Sequence, residues 1–177
     1  NGTKFKIVGM EEFDSYAYDY MERKIAKYDK RIGSLLIAFS ELEQTLDQAT
    51  SFIISDRSDD IGKRITMGMS YIQKVELYSR LLKSYLVVSD KKDKLDTLKK
   101  CIDDLKAAGK IRNLVAHAKW MSLDEEGYVR SKASLDDDAF IEYRYYKLTP
   151  GELYRLERKI NKIHSDFYDL VSSLHLI

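Results

Sequence analysis

Proline, cysteine and tryptophan each occur once in these 177 residues. With one proline and eight scattered glycines there are few points at which a helix must stop, so the composition favours long helices. A single cysteine, Cys101, excludes an intrachain disulfide and a cysteine-based zinc site. Its place beside Ile102 and Leu105, on the apolar side of a helix, reads as a small buried hydrophobe rather than a reactive thiol. The three histidines, His117, His164 and His175, lack metal-ligand spacing, and no metal or cofactor is expected. The glycines form no phosphate-cradling loop, and no Gly-x-Ser-x-Gly nucleophile motif is present. No apolar run approaches membrane-spanning length and no basic-then-apolar leader opens the sequence. A cytoplasmic protein without membrane contact is the expectation. An excess of one charge is also missing: Lys and Arg total 30 against 29 Asp and Glu. The chain therefore lacks the basic footprint of a dedicated nucleic-acid binder, and any RNA contact must be local or gathered from two subunits.

What is present is an ordinary globular balance, 44% hydrophobic and 33% charged, in a length suited to one domain with a real core. Residues 1–29 read as a lead-in, with Gly2 and Gly9, followed by an imperfect helix over 11–28 that carries Phe13, Tyr16, Tyr20, Ile25 and Tyr28. Residues 30–177 read as a helical bundle interrupted by short antiparallel strands at about 119–147.

Within that bundle Ile32, Leu35, Leu36, Phe39, Leu42, Leu46, Ala49 and Ile53 recur at steps of three and four, one buried stripe of a helix. Ser55 to Gly62 is polar and reads as a loop. A helix is expected over 67–88, with Ile72, Val75, Leu82 and Leu86 inward. Ser89-Asp90 then suits the cap of a further helix through Leu95, Leu98, Ile102 and Leu105 to Ala108, which Gly109 ends or bends. Asp124 to Gly127 signals a turn, and Phe140 to Tyr146 is rich in strand formers. Thr149, Pro150 and Glu152 make a capping box for a last helix. Its seam of Leu153, Leu156, Ile160, Ile163, Phe167, Leu170 and Leu174 runs without a miss.

Chemistry concentrates at Arg112-Asn113-Leu114-Val115-Ala116-His117. A permanent cation, an amide and an imidazole can between them bind a phosphate, orient it and move a proton near neutral pH. Spacing alone carries little weight. Ten arginines and three histidines give ~0.5 chance matches to an Arg-x(4–6)-His pattern. Arg158 and His164 supply such a match on the regular last helix, where surface polar residues need no special reading. The first match differs because it follows Gly109, so a new helical turn can begin there. Asn113 and His117, four apart, share a helical face, whereas Arg112 must reach round to meet the imidazole. Glu43, at the edge of the first apolar stripe, reads as a solvated boundary carboxylate, with a pairing to Arg112 or His117 as the sharper option. Tyr143, Tyr145 and Tyr146 read as alternating strand positions, with base stacking as the sharper option.

The Arg112–His117 stretch resembles the signature of the HEPN superfamily, in which an Arg, usually followed by a polar residue such as Asn, is separated from a His by four to six intervening residues. Leu36-Ile37-Ala38-Phe39-Ser40-Glu41-Leu42-Glu43 is similar to the first core helix of bacterial members, and Met69-Ser70-Tyr71-Ile72-Gln73-Lys74 to the start of the second. Trp120, the short hairpin after it and the closing helix resemble one bacterial branch, with Ala118 standing where Gly often follows the His. The resemblance spans roughly residues 30–175, and only the six-residue motif is specific. It implies a mainly α fold, an antiparallel helical bundle with a small β-hairpin insertion before the last helix. It also implies a metal-independent endoribonuclease of the toxin or phage-defence kind, acting as a homodimer on RNA or a nucleotide and open to an antitoxin or other protein partner. His117 would be the general acid or base, Arg112 would hold the scissile phosphate, and Asn113 would orient either. The alternatives are a non-catalytic nucleotide-sensing or protein-interaction module on the same fold, and a helical adaptor in which the motif is coincidence.

Overall fold

The computed structural model describes residues 6–7, 18–55, 59–117, 119–123, 128–135 and 141–176, with side chains placed within 25–55, 60–117 and 147–176. The chain is mainly helical. In order it forms β1 (Lys6–Ile7), α1 (Tyr18–Ile54), α2 (Asp59–Thr66), α3 (Tyr71–Val88), a 3-10 turn at Lys92–Lys94, α4 (Leu95–Ala116), β2 (Lys119–Leu123), β3 (Tyr128–Leu135), β4 (Ile141–Leu148) and α5 (Pro150–Ser173). No helix among the described residues is long and apolar enough to cross a membrane. The turn expected at Asp124–Gly127, most of the lead-in and the strand-forming side chains of Tyr143, Tyr145 and Tyr146 lie outside what is described.

Two compact units emerge, residues 1–35 with 113–157 and residues 36–112 with 158–177. The first holds an antiparallel sheet in the order β1-β4-β3-β2. β3 and β4 pair continuously from Tyr128↔Leu148 to Leu135↔Ile141. β2 pairs β3 with a register shift between Trp120 and Ser122. The expected strands are present, and β1 adds a further one that the lead-in reading did not contain. The start of α5 follows the sequence closely. The Thr149 backbone N–H donates to the Glu152 carboxylate at 2.7 Å and the Glu152 N–H donates to Thr149 Oγ1 at 3.1 Å, a completed capping box. In the same unit the Arg31 guanidinium lies 4.7 Å from the centre of the Tyr154 ring and 3.7 Å from Glu157 Oε2.

The second unit is a bundle built on the apolar stripes. Leu42, Leu46 and Ala49 of α1 are fully buried, as are Val75, Tyr78, Leu82 and Leu86 of α3. Of the α5 seam, Ile160, Ile163, Phe167, Leu170 and Leu174 are buried in this unit. Tyr78 meets Phe167 edge-on with ring centres 5.4 Å apart.

Ile72, expected to face inward with Val75, Leu82 and Leu86, is 44% exposed, and four expectations about element boundaries also need correction. The imperfect helix and the apolar-stripe helix are one, because nothing at Gly33 or its neighbours breaks α1. Part of the expected polar loop is α2, whose buried face is Gly62 and Thr66 while Ile61 and Ile65 stay exposed. A Cβ on Gly62 would overlap Ser51, so the absence of a side chain is what lets α2 lie against α1. Ser89-Asp90 ends α3 instead of starting α4. The Lys91 N–H reaches Leu86 O at 2.8 Å and the Asp90 N–H reaches Val87 O at 3.3 Å, with Asp90 left-handed at φ 55°. That is the Schellman arrangement, usually closed by glycine. α5 ends the same way with His175 at φ 57°. A glycine-poor chain has put an aspartate and a histidine at both turns.

The fourth correction bears on the motif. α4 does not break at Gly109 but continues to Ala116. Gly109 is required by a neighbour: a Cβ there would stand 2.9 Å from two ring carbons of Tyr71. Tyr71 is fixed in that place, since its hydroxyl donates to Leu105 O at 3.0 Å, one turn earlier on α4.

Candidate functional site

The tyrosine that requires a glycine at position 109 also begins the column on which Arg112 rests. Ser70 starts α3, with its N–H and hydroxyl both donating to Gln73 Oε1, and so sets Tyr71 at the first helical position. The Tyr71 ring stacks obliquely on Phe39 of α1, with centres 4.7 Å apart at 57°. The Arg112 guanidinium carbon lies 5.6 Å from the Phe39 ring centre on the same column. Arg112 is half-buried. A cation over an aromatic face at that distance is held electrostatically and by its stem, so its donors are presented from a restrained position. Burial, then the Glu43 carboxylate, raises the Tyr71 phenol above the ordinary tyrosine range and keeps it neutral.

Arg112 belongs to the second unit, Asn113 and His117 to the first. Asn113 is exposed on the last turns of α4, and His117 is the exposed residue directly after its last helical position. The motif is therefore the continuation of a regular helix, not a new turn after a break.

Glu43 is a boundary carboxylate, partly exposed and engaged in an ion pair. Its Oε1 accepts from Lys74 Nζ at 2.9 Å, and Asp47 Oδ2 accepts from the same ammonium at 2.8 Å. Lys74 is buried. Burial lowers its pKa, but the two hydrogen bonds and charges outweigh that and hold it above the ordinary lysine value. Sequence reasoning missed this cluster. The available signal was Glu43 and Asp47 one turn apart on α1, with a lysine beside Val75 in the apolar register of α3.

The second Arg-His match is arranged differently. The Thr45 hydroxyl donates to Glu41 O at 3.1 Å, so its oxygen accepts from His164 Nε2–H at 2.8 Å. Arg158 is exposed. Cys101 is half-buried and not fully sealed. It lines a cleft of about 260 Å³ with Phe167 and Leu170. Burial, then Asp104 and Asp166, pushes its thiol up to about 12, which leaves it unreactive at neutral pH.

No protein-family model, curated protein or solved structure matches the chain.

Proposed function

We propose that the chain is a metal-independent endoribonuclease of the HEPN type, a toxin or phage-defence effector that acts as a homodimer with its sites shared between protomers. The observation that carries this reading is the Arg112-Asn113-x-x-x-His117 run at the end of α4, with the arginine set on the Phe39 ring. In the reaction the ribose 2′-oxygen bonds to the adjacent phosphorus and the bond from phosphorus to the 5′-oxygen breaks. His117 takes the proton from the attacking hydroxyl or delivers one to the leaving oxygen. Arg112 binds the phosphate and stabilises its added charge, and Asn113 orients the phosphate or the imidazole. The products are a 2′,3′-cyclic phosphate and a free 5′-hydroxyl, and DNA is spared because it lacks the nucleophile.

The test is incubation of the full chain with single-stranded RNA in excess chelator, followed by identification of both new ends. Cleavage by the wild type and none by a folded His117→Ala variant is expected. Cleavage that persists in that variant overturns the role given to His117.

A second reading is favoured by the Phe39 contact itself, which gives Arg112 a packing role without chemistry. On that reading the fold is a non-catalytic nucleotide-sensing or protein-interaction module. Wild type and His117→Ala are then equally inert on RNA, while Arg112→Ala weakens binding of a nucleotide.

A further inference from the structure

α4 borders two clefts within the second unit, and they differ in charge. The cleft toward α5 is edged by Lys100 and Lys162 but equally by Asp104 and Asp166. There Lys162 already bonds Asp166 at 3.0 Å. The cleft toward α3, about 460 Å³, has an apolar floor of Leu95, Leu98 and Ile102. Its rim carries Lys83 from α3 and Lys99 and Lys106 from α4, against one carboxylate, Asp103. All three lysines are exposed. Among the described residues none of them has an ion-pair partner. In a chain whose charges nearly cancel, this is a local excess of cations around an aliphatic cleft floor in which Leu95 is half-buried and Leu98 and Ile102 are buried.

We propose that the α3–α4 cleft is a docking groove for an acidic amphipathic helix of a protein partner. Lys99 and Lys106 are seven residues apart, two turns or about 10.5 Å, the interval at which a partner helix repeats a carboxylate on one edge. Apolar side chains spaced by three and four on that helix seat on Leu95, Leu98 and Ile102, and Lys83 meets the carboxylates of its opposite edge. A nucleic acid suits the groove less well, because its lining offers no aromatic ring on which a base can stack. The proposal uses no residue of the Arg112–His117 run and stands apart from the nuclease reading.

The experiment titrates the full chain with synthetic helices of about four turns at about 0.15 M salt. One carries a leucine stripe flanked by glutamates, the other the same stripe flanked by lysines, and a short single-stranded RNA is the third probe. The acidic helix is expected to bind at least about tenfold tighter than the basic one. Combined Lys83→Glu, Lys99→Glu and Lys106→Glu substitution should abolish that preference, and the milder change of all three to Gln should weaken it, both without altering the thermal melt. Equal binding of the two helices, or acidic-helix binding unaffected by the substitutions, overturns the proposal. So does RNA that outcompetes the acidic helix through the same three lysines.

Discussion

Two stretches of this chain carry an arginine followed at short distance by a histidine, and they are held in opposite ways. At Arg112 and His117 the cation is anchored, half-buried over Phe39, and the imidazole is exposed past the end of a helix. At Arg158 and His164 the imidazole is anchored on Thr45 and the cation is exposed. Spacing in sequence is nearly the same, and the two anchors, Phe39 and Thr45, lie far away in the chain. Phosphate chemistry uses a placed cation and a proton carrier that can reach the substrate, and the first pair has a restrained guanidinium and an exposed imidazole. The reverse arrangement fixes the proton carrier by a hydrogen bond to a hydroxyl and gives it structural work.

The widest separation between the two pairs should appear in RNA cleavage. His117→Ala is expected to cost about 10²–10⁴-fold in rate, the usual worth of a proton-transfer group, whereas His164→Ala should leave the rate within about twofold. Equal losses in a gel assay of both variants would erase the contrast. The next effect sharpens it by asking what ties α1 to α3. Lys74→Ala leaves Glu43 and Asp47 facing each other without their shared cation, and should cost about 2–3 kcal/mol in a urea titration, less than a fully dry pair because both carboxylates are partly exposed. The arginines should then separate by stability alone. Arg112→Ala loses its contact with Phe39 and should cost about 1 kcal/mol, while Arg158→Ala should stay within about 0.5 kcal/mol.

The smallest effect is alkaline. Cys101, normally near 9.0, is held up to about 12 in the folded chain, so the fold binds that proton more tightly than the unfolded chain does. Its contribution is complete below pH 9.0 and drains away as pH rises toward 12. Tyr71 and Tyr78, both raised from 10.0, and Lys74, raised from 10.5, act in the same direction at higher pH. In Cys101→Ala the fall of melting temperature with pH should begin near 10, not near 9, and an unchanged onset would remove the thiol from this account.

Elements whose pattern is self-contained were legible in the sequence. α5 needs only its own capping box and seam, and both are realised. The α1 stripe and the strand-rich stretch before α5 were equally readable. What failed depended on partners distant in the chain. Gly109 reads as the end or a bend of a helix, and only the Tyr71 ring reveals it as a close approach inside a helix. The stretch from Ser55 to Gly62 reads as polar loop because α2 buries glycine and threonine and shows its isoleucines to solvent, the inverse of the usual pattern. Asp90 reads as the start of a helix because the turn it closes normally carries glycine. At the candidate site the residue types were legible, but the Phe39 shelf, the capture of Glu43 by Lys74 and the tethering of His164 were not.

The two close-approach glycines also predict different genetic escape. The obstacle at position 109 is a tyrosine ring, so a larger residue there can in principle be rescued by trimming Tyr71. The obstacle at position 62 includes the main-chain Cα of Ser51, which no substitution removes. Second-site suppressors should therefore be recoverable for the first position, and a selection for them should return only true revertants at the second.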